Sequence, residues 1–226
     1  MGIPVLILGE SGSGKSTSLR NFAPEEIGVF NVASKPLPFR GKLKKIEGAT
    51  YSSILKGLSN PTFKSYAIDD SQFLLVFESF DRAKENGYAK FTDFALNFCG
   101  LIRFVIEKTP PDVIVYFLHH VETTESGKVK AKTIGKMLDS QLTVEGLFSI
   151  VLLCKTDGKN HTFITQSDGF TTCKSPMEML PAEMDNDLKA VDTAIREYYE
   201  MAGAVILKAA WPAMSTQSPW SMCSSR

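Results

Sequence analysis

The octapeptide Gly9-Glu10-Ser11-Gly12-Ser13-Gly14-Lys15-Ser16, followed by Thr17, comes directly after the apolar run Val5-Leu6-Ile7-Leu8. This is the pattern G-x-x-x-x-G-K-[ST] between a strand and a helix, and it constrains the fold strongly. A buried strand must bring the chain to one edge of a sheet, where it wraps into a tight loop. A helix then returns it over a face of the sheet. Gly9, Gly12 and Gly14 let the backbone fold tightly, so that successive N–H groups point inward at phosphate oxygens. The sequence predicts that Gly14 to about Asn21 begins the first helix, with its positive end on the same anion. Lys15 offers an ammonium to the β- and γ-phosphates, and the Ser16 hydroxyl offers a ligand to Mg²⁺. Gly9 to Thr17 are therefore expected to hold ATP and Mg²⁺.

The remaining pattern alternates strands and helices. Strands are expected at Ile27–Val32, Ser65–Ile68, Val113–Leu118 and Phe148–Cys154, and helices at Ser71–Glu85 and Phe91–Glu107. A further helix is expected near Gly135–Gly146, and a last one at Asn186–Met201. His161–Gln166 and Phe170–Cys173 flank Asp168-Gly169 and read as a C-terminal β-hairpin. Continuous apolar strands interleaved with helices predict an α/β fold whose mainly parallel sheet is covered on both faces. Residues 1–201 read as one domain. Gly203–Arg226, rich in Ala, Ser and Met, reads as a mobile or non-native tail.

The segment Tyr66-Ala67-Ile68-Asp69-Asp70 supplies the acids that a phosphate loop needs. Asp69 is expected to hold the magnesium, and Asp70 to act as the acid/base that handles the attacking water. Asp70 or Ser71 can equally cap the following helix. His119, at the end of the Val113–Leu118 run, is the candidate sensor of the γ-phosphate, ahead of His120.

Composition bears on partners. Lys plus Arg and Asp plus Glu both number 25, so nucleic acid can be met only by a local patch. Lys128, Lys130, Lys132 and Lys136 form such a patch, read as a flexible loop that neutralises phosphates of single-stranded DNA. Arg40, Lys42, Lys44 and Lys45 form a second cluster. The four cysteines are scattered, and Cys99 and Cys154 read as core residues. The first apolar run is too short for a signal peptide and no run spans a bilayer, which predicts a cytoplasmic protein away from membranes.

Together the phosphate loop, the acidic strand end, the two helices, the polar strand end and the closing hairpin resemble the RecA-like P-loop ATPase core. The chain looks most like the small, core-only ATP-binding proteins of tailed bacteriophages linked to recombination and single-strand annealing. Asn31–Phe39 and Lys174–Pro181 add to that likeness. The resemblance implies a Mg²⁺-dependent ATPase that self-associates into a ring or filament, with a basic residue reaching the neighbouring site. Lys155, Lys159 and Lys174 are the candidates. One departure matters: the segment Asn31-Val32-Ala33-Ser34-Lys35 lacks the catalytic glutamate that RecA-like enzymes usually carry there. A nucleotide-gated assembly factor with little turnover is the alternative. A small-molecule phosphotransferase is disfavoured by the absence of an arginine-rich lid.

Overall fold

A computed structural model describes residues 1–135, 137–138 and 142–201. Among these, nine strands form one mixed sheet. They are β1 (Ile3–Gly9), β2 (Ile27–Asn31), β3 (Lys44–Glu47), β4 (Ser65–Asp69), β5 (Ile114–Thr123), β6 (Val129–Ala131), β7 (Ile150–Thr156), β8 (His161–Ile164) and β9 (Glu183–Asp185). Their order is β3-β2-β4-β5-β1-β7-β8-β9, with β6 paired to β5 beside this path. The six strands from β3 to β7 in that order are parallel, and β6, β8 and β9 are antiparallel to their partners.

The strands alternate strictly between two cores, as a period of two requires. Leu6 and Leu8 of β1 join Phe30, Ile68, Val115 and Phe117 on one face. Helices α1 (Tyr51–Ser59), α2 (Gln72–Asp81) and α3 (Ala89–Lys108) cover that face through residues such as Ile54, Leu75, Phe98 and Ile102. Val5 and Ile7 join Val29, Ala67, Tyr116 and Leu152 on the other face, under α4 (Leu188–Tyr198) with its Val191 and Ile195. Both faces of the sheet are thus dry, in accord with the expected α/β architecture. Among the described residues no helix is long and apolar enough to cross a membrane.

Several expectations are corrected. The chain after the phosphate loop is a six-residue 3₁₀ segment, Ser16–Asn21, rather than a full helix. It stops where Phe22 turns extended, ahead of Pro24. α2 ends at Asp81, and Arg82 just beyond it bonds Glu85 and Asp93, both at 2.7 Å, tying the α2 exit to α3. Within 135–146, Met137 and Leu138 are helical, with π-type winding, and a four-residue 3₁₀ turn starts at Val144 and ends at Leu147; residues 136 and 139–141 of the expected helix lie outside the described residues.

The C-terminal hairpin also forms elsewhere. β7 and β8 make it, around a turn in which Asp157 Oδ1 accepts from the N–H groups of Lys159 and Asn160 at 2.8 and 2.7 Å. Phe170–Cys173 cannot pair with β8, because β7 and β9 already occupy both its edges. That segment instead touches Val129 through Thr171, and the next residue, Lys174, bridges to Val151.

β3 and α1 are among the elements that the sequence pattern does not announce. β3 is a four-residue, charged edge strand, which guards an open edge but lacks an apolar pattern. α1 starts with a capping box between Thr50 and Ser53. Gly57 lets α1 lie against Phe30, whose ring would be 2.8 Å from an added Cβ. The expected tail, residues 202–226, lies outside the described residues.

Candidate functional site: the phosphate loop and its acidic wall

The parallel strands all end at one edge, and the candidate residues gather there. β1 ends at Gly9 and leads into the loop, while β4, two strands away with β5 between, ends at Asp69. Ser16 Oγ bridges the gap, donating to Asp69 Oδ1 at 2.7 Å. Residues 53 positions apart thus present a hydroxyl and a carboxylate side by side. Burial pushes the Asp69 carboxyl above its ordinary range, outweighing the Ser16 hydrogen bond.

The loop has the backbone that its glycines imply. Gly12 and Gly14 take φ values of 80° and 103°. An added Cβ on Gly9 would lie 2.3 Å from Ser13 Oγ, so only glycine fits beneath the turn. Glu10 and Ser11 form the exposed tip, while Ser13, Gly14 and Lys15 are buried and Ser16 is half-buried. Lys15 Nζ donates to the carbonyls of Gly9 and Glu10 at 2.9 and 2.8 Å, closing the loop on itself. Burial lowers the Lys15 ammonium's pKa, against the pull of Cys154, Asp70 and Asp69. Because the 3₁₀ segment is short, its dipole adds little to the loop.

The loop is braced by residues that the sequence did not single out. His161 Nδ1 on β8 donates to the Ser13 carbonyl at 2.9 Å. Asn21 Nδ2 donates to Asp187 Oδ2 at 2.8 Å, and Arg20 bonds the Asn186 carbonyl. Cys154 lies beneath, its thiol pushed up to about 12 by burial, which leaves it a packing residue. Partners so far apart along the chain leave no local signal.

Asp70 stands beside Asp69 with a left-handed φ of 58°. It accepts from Lys35 Nζ at 2.7 Å and from His120 Nε2 at 3.1 Å. Burial alone would raise its pKa, but these two bonds and their charge hold it at about 2. A carboxylate so strongly stabilised is a weak proton acceptor, which argues against the expected acid/base role and for a positioning one. Neither Asp70 nor Ser71 supplies a side-chain cap to α2.

The two histidines exchange their expected places. β5 runs on to Thr123, so both lie within a strand and point to opposite faces. His119 is fully buried against Phe98, accepting from Ser71 Oγ and donating through Nε2 to the Lys132 carbonyl, both at 2.9 Å. Burial drops its pKa to about 4, so the ring is neutral. His120 is the histidine that reaches Asp70. It also lines, with Glu10, Ser11, Phe73 and Lys132, a cleft of about 340 Å³.

The lysine patch is a hairpin rather than a loop. β5 and β6 pair from Val121–Ala131 to Thr123–Val129. Alternation places Lys130 on the face opposite Val129 and Ala131, and Lys128 and Lys132 flank the strand on either side. Lys128 and Lys132 are exposed, and Lys130 pairs with Glu122 at 3.1 Å. Lys136 lies outside the described residues. Lys155 and Lys159 are exposed on the β7–β8 hairpin, and the Lys174 backbone is paired to Val151.

The donor set suits magnesium, a hard cation that takes few protein oxygens and leaves room for phosphate. Ser16 and Asp69 supply that set, and among the described residues no cluster of three or more His, Cys, Asp or Glu competes for a metal. Neither protein-family models nor curated proteins give a match to this chain.

Proposed function

We propose that the chain is a Mg²⁺-dependent ATP-binding protein and ATPase with a RecA-like core, acting on single-stranded DNA in recombination or annealing. The observation that carries the nucleotide part is the Ser16–Asp69 contact at 2.7 Å, made beside a loop whose glycines adopt phosphate-cradling angles. Magnesium, when bound with the triphosphate, neutralises charge between its phosphates. The chain's own contributions are distinct. Loop N–H groups and Lys15 bind the phosphates, Ser16 and Asp69 hold the metal, and Asp70 fixes Lys35 and His120 at the margin.

The DNA part is supported by the lysines on and beside β6 and by their link to the site. Lys132 N donates to the His120 carbonyl at 2.9 Å, and the His119 ring donates to the carbonyl of Lys132. One strand, β5, therefore carries a contact to Asp70 and the support of the lysine hairpin. Ring or filament assembly, with Lys155, Lys159 or Lys174 reaching a neighbour, belongs to the same proposal.

A second reading, a nucleotide-gated assembly factor, is favoured by the engagement of Asp70 with Lys35 and His120 and by the absence of an acid at Asn31–Lys35. ATPase rates with and without single-stranded DNA separate the two. DNA-stimulated turnover supports the first. Tight ATP binding with no turnover under either condition replaces it with the second.

A further inference from the structure

Lys35 is a cation that the phosphate-loop motif does not call for. Its ammonium meets Asp70 Oδ2 at 2.7 Å and lies 4.7 Å from the centre of the Phe73 ring. The backbone beneath it is fixed. Asn31 Nδ2 donates to the Lys35 carbonyl at 2.7 Å, and Ser34 adopts φ 54°, a turn that non-glycine residues seldom make. The side chain itself is 56% exposed, so its ion pair is one that another anion can displace. Asp70 is the immobile partner, buried and also bonded to His120. Lys35 is close enough for its charge to act on both Lys15 and Asp69. A fixed backbone, an exposed ammonium and a buried anchor make an arm with a second place to go.

We propose that Lys35 is the residue by which this site distinguishes a nucleoside triphosphate from a diphosphate, leaving Asp70 for the terminal phosphate when one is present. The inference rests on the phosphate-loop reading above. Phe73 lies beside both Lys35 and His120, its ring centre 5.8 Å from that of His120, so departure of the ammonium is felt directly by β5. Asp70 then keeps His120 as its hydrogen-bond partner.

The test is equilibrium binding of fluorescent ATP, a non-hydrolysable ATP analogue and ADP, each with Mg²⁺. It compares the wild type with Lys35→Ala, Lys35→Arg and Asp70→Asn. Lys35→Ala should lose on the order of tenfold in affinity for both triphosphates and less than about twofold for ADP, as one charge-assisted hydrogen bond predicts. Lys35→Arg should keep most of the triphosphate preference. Asp70→Asn removes the competing anion and should bind triphosphates at least as tightly as the wild type. Equal losses for ATP and ADP in Lys35→Ala, or an Asp70→Asn protein that copies the Lys35→Ala loss, would overturn the proposal and make the pair a structural clamp. The phosphate-loop reading would survive that result. A wild-type protein that binds none of the three nucleotides overturns both.

Discussion

Lys15 has two jobs that a single substitution separates. It closes the loop through the Gly9 and Glu10 carbonyls, and it is the expected phosphate ligand. Lys15→Ala should therefore reduce ATP affinity by at least about tenfold while costing only ~1–3 kcal/mol of stability, the worth of the hydrogen bonds it removes. Nucleotide titration paired with thermal unfolding reads both, and unchanged affinity would sink the phosphate-loop assignment. His119 makes a pH prediction. Burial holds its pKa at about 4, against an ordinary 6.5. Between those values the unfolded chain binds a proton that the folded chain refuses, so stability falls as pH drops from 6.5 toward 4. His119→Gln should flatten that part of the stability–pH curve even if it lowers stability overall. An unaltered slope would place the acid sensitivity elsewhere. That Lys15, Ser16 and Asp69 gather at one site is legible in the sequence, because spacing and residue type mark each of them. The pairing of Asp70 with Lys35 and His120 is not, because it needs three separate segments of the chain to meet.

Among the elements, the β5–β6 hairpin has the clearest consequence. Three lysines on and beside β6 can meet a phosphate backbone together, and the charge of Lys130 is offset by its ion pair with Glu122. Changing Lys128, Lys130 and Lys132 to Ala should weaken single-stranded DNA binding and reduce the logarithmic salt slope by about 0.7 for each DNA phosphate no longer neutralised. ATP affinity without DNA should stay unchanged. Because β5 supports both surfaces, ATP should tighten DNA binding and DNA should tighten ATP binding by the same factor. Oligonucleotide titrations at several salt concentrations, with and without nucleotide, measure both effects, and a triple variant with wild-type salt dependence would clear these lysines of DNA binding. The sequence marks the lysines but suggests a loop, since β6 is only three residues long. Its alternation becomes a strand only with β5 alongside. The 3₁₀ segment after the phosphate loop falls short of the expected helix for the converse reason: a motif that usually opens a helix does not fix where that helix stops.

At the scale of the whole molecule, α4 is fastened under the amino ends of the strands by a buried ionic group. Asp192 accepts from Ser65 Oγ at 2.5 Å, Tyr116 OH at 2.9 Å and Arg196 Nε at 2.7 Å. Arg196 reaches on to the carbonyls of Lys64 and Asp112 at 2.8 and 3.1 Å. Asp192→Ala would strand a buried guanidinium and should cost about 3–5 kcal/mol in urea unfolding. A loss under about 1 kcal/mol would mean that the helix is held by its apolar face alone. This fastening matters to the site because the α4 entrance, through Asn186 and Asp187, also grips Arg20 and Asn21 behind the phosphate loop. The sequence alone determined the α/β class, the buried parallel strands, the tight glycine loop after β1 and the acidic strand end, because periodicity and local backbone chemistry act over a few residues. Only the tertiary structure decided which strand lies beside which, that His120 rather than His119 faces Asp70, and that Lys35 joins them. Those outcomes depend on contacts between residues far apart along the chain, where strand order and burial, not local preference, set the partner.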